Sequence, residues 1–144
     1  MPANGDHRAE VLVDTSVAVA LVLTDHAAHH PTLNQLRGRT LGLAGHAWFE
    51  TVSVLTRLPP PARRRPVQVA QLLAHNFPAS QFLGQAEHRR LAIQIAERQI
   101  GGGAVYDALV GAVAVYHELP LVSRDERALP IYQAFGVDVE LIGS

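Results

Sequence analysis

The chain has 144 residues, of which 48% are hydrophobic and 17% are charged, a composition that favours one folded globular domain over a disordered segment. All twelve basic residues are arginine and cysteine is absent, which excludes P-loop nucleotide hydrolases, lysine-dependent phosphoaspartyl enzymes, disulfide frameworks and thiolate metal sites. With a net charge of −1, the chain lacks the excess of basic residues typical of nucleic-acid-binding proteins. The positions of the thirteen acidic residues are therefore examined for a functional site.

The first half of the chain alternates strand-like and helix-like segments. Residues 1–9 are polar and are expected to form a flexible leader ahead of a single domain over residues 10–144. The apolar run after the leader ends at Asp14, followed by Thr15 and Ser16, which is typical of a buried strand leading into a helix N-terminus. Strands are predicted at residues 10–14 and 41–44, and helices at residues 17–23, 32–37 and 46–58.

The second half begins after three prolines at residues 59–61, which cannot continue a helix. The segment at residues 104–118 is apolar nearly all round, as expected of a central buried helix. Gly136 is expected to follow the end of the last helix, because glycine is common at that position. Further helices are predicted at residues 63–75, 87–100 and 126–135, and strands at residues 80–83, 120–125 and 137–142.

This order of elements predicts an α/β fold with a mostly parallel central sheet of four to five strands, flanked by helices. In such folds the functional side chains gather at the carboxyl ends of the strands. Asp14 and Asp125 each follow an apolar, strand-like run. If their strands are parallel neighbours, the two carboxylates meet at the same edge of the sheet.

Two further carboxylates stand in helices with no other charge nearby. Asp107 is the only charged residue between Ala104 and Tyr116, and Glu50 is the only one in AWFETVSVL at residues 47–55. An ionised carboxylate in apolar surroundings is costly unless a positive group pairs with it. Because lysine is absent and arginines are few in these segments, a divalent cation is the expected counter-charge. Hard oxygen ligands of this kind favour Mg²⁺ or Mn²⁺.

Simpler explanations remain open for most of these acids. Asp14, Asp107 and Asp125 can each cap the N-terminus of a helix, whereas Glu50 has no capping role. Other motifs are equally ambiguous. The arginine run at residues 63–65 can contact RNA phosphates or merely solvate a helix start. The aromatic pair at residues 48–49 can stack on bases, or serve as core or dimer contacts.

Four segments resemble the acidic motifs of PIN domains in their order and spacing. They are VLVDTSV at residues 11–17, the isolated Glu50, YDALVGAVA at residues 106–114 and LVSRD at residues 121–125. The closing segment at residues 127–137 is similar to the end of VapC toxins. The match spans nearly the whole chain, so the joint pattern is far more specific than any single motif.

The resemblance assigns roles to particular residues. It implies that the metal-binding acids are Asp14, Glu50, Asp107 and Asp125. It also implies that Ser123 supplies a hydroxyl that helps to position the attacking water or the scissile phosphate. Ser16 matches a small polar position beside the first acid.

The function implied by this resemblance is that of a Mg²⁺- or Mn²⁺-dependent endoribonuclease, the toxin component of a type II toxin–antitoxin system. The implied partners are an RNA substrate, a cognate VapB-type antitoxin and a second copy of the chain in a homodimer. No apolar run approaches the roughly 20 residues of a membrane span. We therefore expect a cytoplasmic protein that does not contact membranes.

Two other functions share parts of this pattern. A non-catalytic PIN-like module would use its surface to bind RNA or a protein and would keep the acids only as caps. The full set of four acids argues against this alternative. A DNA-directed nuclease of the flap-endonuclease type would need further acids and a helical arch, for which the chain has no room.

Overall fold

The computed structural model describes residues 10–143, and the predicted leader at residues 1–9 lies outside the described residues. Within this range the chain forms four strands and seven α-helices. The strands are β1 (Glu10–Val13), β2 (Thr40–Leu43), β3 (Leu121–Ser123) and β4 (Val139–Leu141). The helices are α1 (Thr15–Val22), α2 (His29–Leu36), α3 (His46–Thr56), α4 (Pro66–Asn76), α5 (Gln85–Glu97), α6 (Ala104–His117) and α7 (Leu129–Ala134), with a 3₁₀ turn (Glu126–Ala128) before α7.

The four strands form one parallel sheet in the order β2-β1-β3-β4. Val13 of β1 lies opposite Leu43 of β2 on one side and Val122 of β3 on the other. Helices cover both faces of a parallel sheet, so its central strands are apolar throughout. The apolar residues of β1 and β3 are accordingly no more than 1% exposed. This arrangement confirms the predicted α/β fold and sets the ends of β1 and β3 side by side.

The segment predicted as an edge strand at residues 80–83 does not form a fifth strand. Gln81 makes a single parallel bridge with Ala44. The ladder is interrupted because the Leu43 backbone N–H donates to the Ser80 hydroxyl at 2.8 Å rather than to a backbone carbonyl. A polar side chain therefore replaces part of the strand pairing that the sequence pattern predicts.

Three helices differ from their predicted form. The helix expected from residue 63 begins at Pro66, because Arg65 has an extended backbone at its N-cap and Arg63 donates to the Leu58 carbonyl at 2.8 Å instead of entering the helix. The helix expected over residues 126–135 is divided into the 3₁₀ turn and α7. Helix α6 is buried on one face only, since Tyr106 and Tyr116 are exposed. No helix within residues 10–143 is long and apolar enough to cross a membrane.

Candidate metal centre

Asp14 directly follows β1, caps α1 and is only 4% exposed. Its Oδ1 accepts hydrogen bonds from the Ser16 hydroxyl at 2.6 Å and the Val17 backbone N–H at 3.4 Å. Its Oδ2 accepts from the hydroxyls of Ser123 at 2.6 Å and Tyr132 at 2.9 Å. Burial raises the pKa of Asp14, and the hydrogen bonds from the three hydroxyls and the Val17 N–H oppose that rise. Capping of α1 is therefore real, but it does not account for the cluster of hydroxyls.

Ser123 ends β3 and is completely buried. Its hydroxyl donates to Asp14 and accepts from the Asp125 backbone N–H at 3.0 Å. The Ser16 hydroxyl makes a parallel connection, because it donates to Asp14 and accepts from the Arg124 backbone N–H at 2.9 Å. The two serines thus link the ends of β1 and β3 and fix the position of the first carboxylate.

Glu50 and Asp107 reach the same region from helices α3 and α6. Glu50 is exposed and does not enter the core as its apolar neighbours suggested, and its Oε1 accepts from the Thr15 hydroxyl at 2.6 Å. The Asp107 side chain is 15% exposed, and Gly103 rather than Asp107 holds the N-cap position of α6. Burial raises the pKa of Asp107, the Arg127 charge lowers it, and the neighbouring carboxylates raise it further.

Asp125 caps the 3₁₀ turn by accepting from the Arg127 backbone N–H at 3.0 Å. The Arg127 guanidinium also lies 3.0 Å from the Asp125 carboxylate and 3.6 Å from that of Asp107, with its side chain 70% exposed. This arginine therefore pairs with two of the predicted acids. Arg127 follows Asp125 by only two residues, and this short spacing is the sequence signal that could have predicted the pairing.

One open cleft of about 200 Å³ brings the four predicted acids together. Its lining comprises Asp14, Thr15, Ser16, Glu50, Asp107, Val110, Asp125, Arg127 and Tyr132. Ser123 is the predicted site residue that does not line the cleft, because it lies beneath Asp14. Thr15 belongs to the first motif, and Arg127 and Tyr132 belong to the closing segment, but the sequence predicted no place in the site for any of the three.

The chemistry of this donor set fits a hard divalent cation. Four carboxylates against one guanidinium leave the cleft with an excess of negative charge, and carboxylate oxygens are preferred ligands of Mg²⁺ and Mn²⁺. Within residues 10–143, no three His, Asp or Glu side chains stand close enough together to share one ion in this arrangement. Thr15 holds Glu50 and Arg127 holds Asp125 instead. An ion would have to draw these carboxylates away from their present partners.

Comparison with known proteins decides the family. The family model of the PIN domain matches residues 11–133. Ribonuclease VapC27 of Mycobacterium tuberculosis is 43% identical over 127 residues, which cover 88% of this chain and 93% of that protein. The chain belongs to the VapC family of PIN-domain ribonucleases. Ribonuclease VapC40 of M. tuberculosis strain CDC 1551 / Oshkosh is 44% identical over 131 residues, covering 90% of this chain and 96% of that VapC protein.

Solved structures agree with this assignment at the level of the fold. VapC20 of M. tuberculosis, described as a sarcin-ricin loop cleaving toxin, superposes with a TM-score of 0.64 at 20% identity, covering 90% of this chain and 98% of that one. VapBC2 from Rickettsia felis, bound to a DNA fragment from their promoter, gives a TM-score of 0.65 at 10% identity, covering 93% of this chain and 99% of that one. The PIN fold predicted from the motifs is thereby confirmed.

Proposed function

We propose that the chain is the toxin of a type II toxin–antitoxin system and acts as a Mg²⁺- or Mn²⁺-dependent endoribonuclease. The observation that carries this proposal is the convergence of four carboxylates, from two strand ends and two helices, on one cleft. Both M. tuberculosis relatives bear the name ribonuclease, which supports RNA as the substrate.

The residues of the cleft divide into ligands and supports. The proposed ligands are Asp14, Glu50, Asp107 and Asp125. These residues would hold a Mg²⁺ or Mn²⁺ ion, which would lower the pKa of an attacking water and stabilise the charge that builds up on the phosphate. Ser123 is completely buried and donates to Asp14, so we assign it to holding Asp14 rather than to contact with the water or the phosphate.

The proposed partners follow from the same family. Two of the similar solved structures are VapBC pairs, from R. felis and M. tuberculosis, which supports a VapB-type antitoxin as the partner of this chain. We infer that a segment of the antitoxin covers the cleft and so blocks cleavage. We further propose that two copies of the chain form a homodimer. We expect this dimer to act in the cytoplasm, where its RNA substrates are found.

The test is cleavage of a mixed RNA pool and of single-stranded DNA by purified, antitoxin-free protein with Mg²⁺, Mn²⁺ or EDTA. We expect RNA to be cut only with metal, and Asp14→Asn to reduce cutting to background, because the substitution removes a ligand charge. Asp25→Asn makes the same chemical change at an exposed position outside the cleft and should cut normally.

Two results would contradict the proposal. Cutting that persists in EDTA or in Asp14→Asn would mean that the four acids are not the active groups. Folded protein that binds the pool yet cuts nothing with either metal would favour the alternative of a PIN-like binding module, in which Arg127 and Thr15 remain the partners of the acids.

A further inference from the structure

Tyr132 connects α7 to the first carboxylate of the cleft. Tyr132 is only 2% exposed, and its hydroxyl donates to Asp14 Oδ2 at 2.9 Å. The Ser123 hydroxyl donates to the same oxygen at 2.6 Å. The other oxygen, Oδ1, accepts from Ser16. Three hydroxyls from three different parts of the chain thus surround one buried carboxylate.

These contacts fix the orientation of Asp14 better than a cap alone can. Helix capping needs only the bond from the Val17 N–H, which at 3.4 Å is the longest of the four to this carboxylate. The hydroxyls of Ser123 and Tyr132 both bond Oδ2, so the carboxylate cannot rotate about its own axis without breaking both. The phenol is the donor in this contact, because an ionised carboxylate oxygen can only accept a hydrogen bond.

Helix α6 makes room for the Tyr132 ring. Gly111 lies in the interior of α6, where glycine destabilises a helix relative to alanine. A Cβ at this position would lie 3.3 Å from the Tyr132 ring and 3.0 Å from a methyl group of Val137. The glycine in the motif YDALVGAVA is therefore explained by packing. It allows α7 to approach α6 closely enough for the Tyr132 hydroxyl to reach Asp14.

We propose that Tyr132 is a positioning residue of the metal centre, which holds the Asp14 carboxylate in the orientation that binds the ion. This inference rests on the proposed function, since it concerns the ligand role of Asp14. Groups that hydrogen-bond to a metal ligand set its orientation, and their loss typically weakens metal binding by about 10–100-fold. Tyr132 lies outside the four acidic motifs, within the closing segment.

The experiment measures Mn²⁺ binding directly, by electron paramagnetic resonance of free Mn²⁺, together with unfolding curves in EDTA. Tyr132→Phe keeps the ring and removes the hydroxyl, and we expect its Mn²⁺ affinity to fall by about 10–100-fold. Tyr116→Phe makes the same change on the exposed part of α6 and should bind Mn²⁺ like the parent. Gly111→Ala retains the hydroxyl but crowds the ring, so its affinity should fall in the same direction.

The outcomes separate this inference from the proposed function. Parent protein that binds no Mn²⁺ would overturn both the metal centre and the role of Tyr132. Parent protein that binds Mn²⁺ with the same affinity as Tyr132→Phe would overturn the role of Tyr132 alone. If Tyr132→Phe does not fold, Gly111→Ala provides the test. A Mn²⁺ affinity of Gly111→Ala equal to that of the parent would also overturn the inference. Cleavage at saturating Mn²⁺ should recover in Tyr132→Phe, because the ligands themselves remain.

Discussion

Arg127 is the positively charged residue among those that line the cleft. Its guanidinium forms ion pairs with Asp107 and Asp125, two carboxylates that a metal would need. The ion pair with Asp125 is largely exposed, so its own contribution to stability is small, about 1 kcal/mol or less. The same arginine should weaken the binding of a divalent ion, although it slightly stabilises the fold. In the proposed metal centre, Arg127 would compete with the ion for the oxygens of Asp107 and Asp125 and would also repel it.

Replacing this charge should therefore separate metal affinity from stability. We expect Arg127→Gln to bind Mn²⁺ several-fold more tightly than the parent, while its stability in EDTA falls slightly because the carboxylates lose their cation. Arg37→Gln, which removes an equal charge from an exposed pair with Asn34 on the outer surface, should change neither quantity. Titration calorimetry with Mn²⁺ and thermal unfolding in EDTA are the two measurements. Weaker Mn²⁺ binding in Arg127→Gln would show that the arginine supports the ion instead of competing with it.

At the scale of whole elements, the features that the sequence predicted are those with local causes. An apolar run that ends in Asp14 or Asp125 is a local pattern, and parallel pairing of β1 with β3 then brings both acids to one edge. The contact between Tyr132 and Asp14 joins residues 118 positions apart and depends on how α7 docks, for which no local pattern exists. The same holds for the Ser80 hydroxyl that interrupts pairing with β2.

The edge of β2 offers a test of this packing. A Cβ on Gly42 would lie 2.2 Å from the Ala79 carbonyl oxygen, a backbone atom that cannot rotate away. We expect Gly42→Ala to destabilise the protein by about 1–3 kcal/mol, because it pushes the segment at residues 79–81 off the strand. Gly101→Ala meets no atom within 4 Å and should be nearly neutral. Urea unfolding of both variants measures the difference, and equal stability of Gly42→Ala and the parent would contradict this account.

At the scale of the whole molecule, three exposed aromatic residues bear on whether two copies of the chain associate. Phe49, Phe82 and Tyr106, here called the aromatic patch, are 63%, 47% and 49% exposed. Phe49 and Phe82 line one groove with His46, on which the Tyr106 ring stacks. Phe49 and Tyr106 lie on α3 and α6, the two helices that carry Glu50 and Asp107. Clustered exposed aromatic side chains mark contact surfaces. The proposed homodimer would cover this patch, whereas the base-stacking alternative would leave it open to RNA.

Phe82 separates these two possibilities because it belongs to the patch without being next to an acid in the sequence. Its ring centroid lies 6.4 Å from that of Phe49. If two copies pair through the patch, Phe82→Ser should weaken the dimer about tenfold or more, since buried aromatic anchors dominate interfaces. Sedimentation velocity over a range of concentrations measures this change. Val67→Ser, at an exposed apolar position on α4, should leave the dimer intact. A Phe82→Ser protein that remains dimeric but binds single-stranded RNA more weakly would assign the patch to the substrate instead.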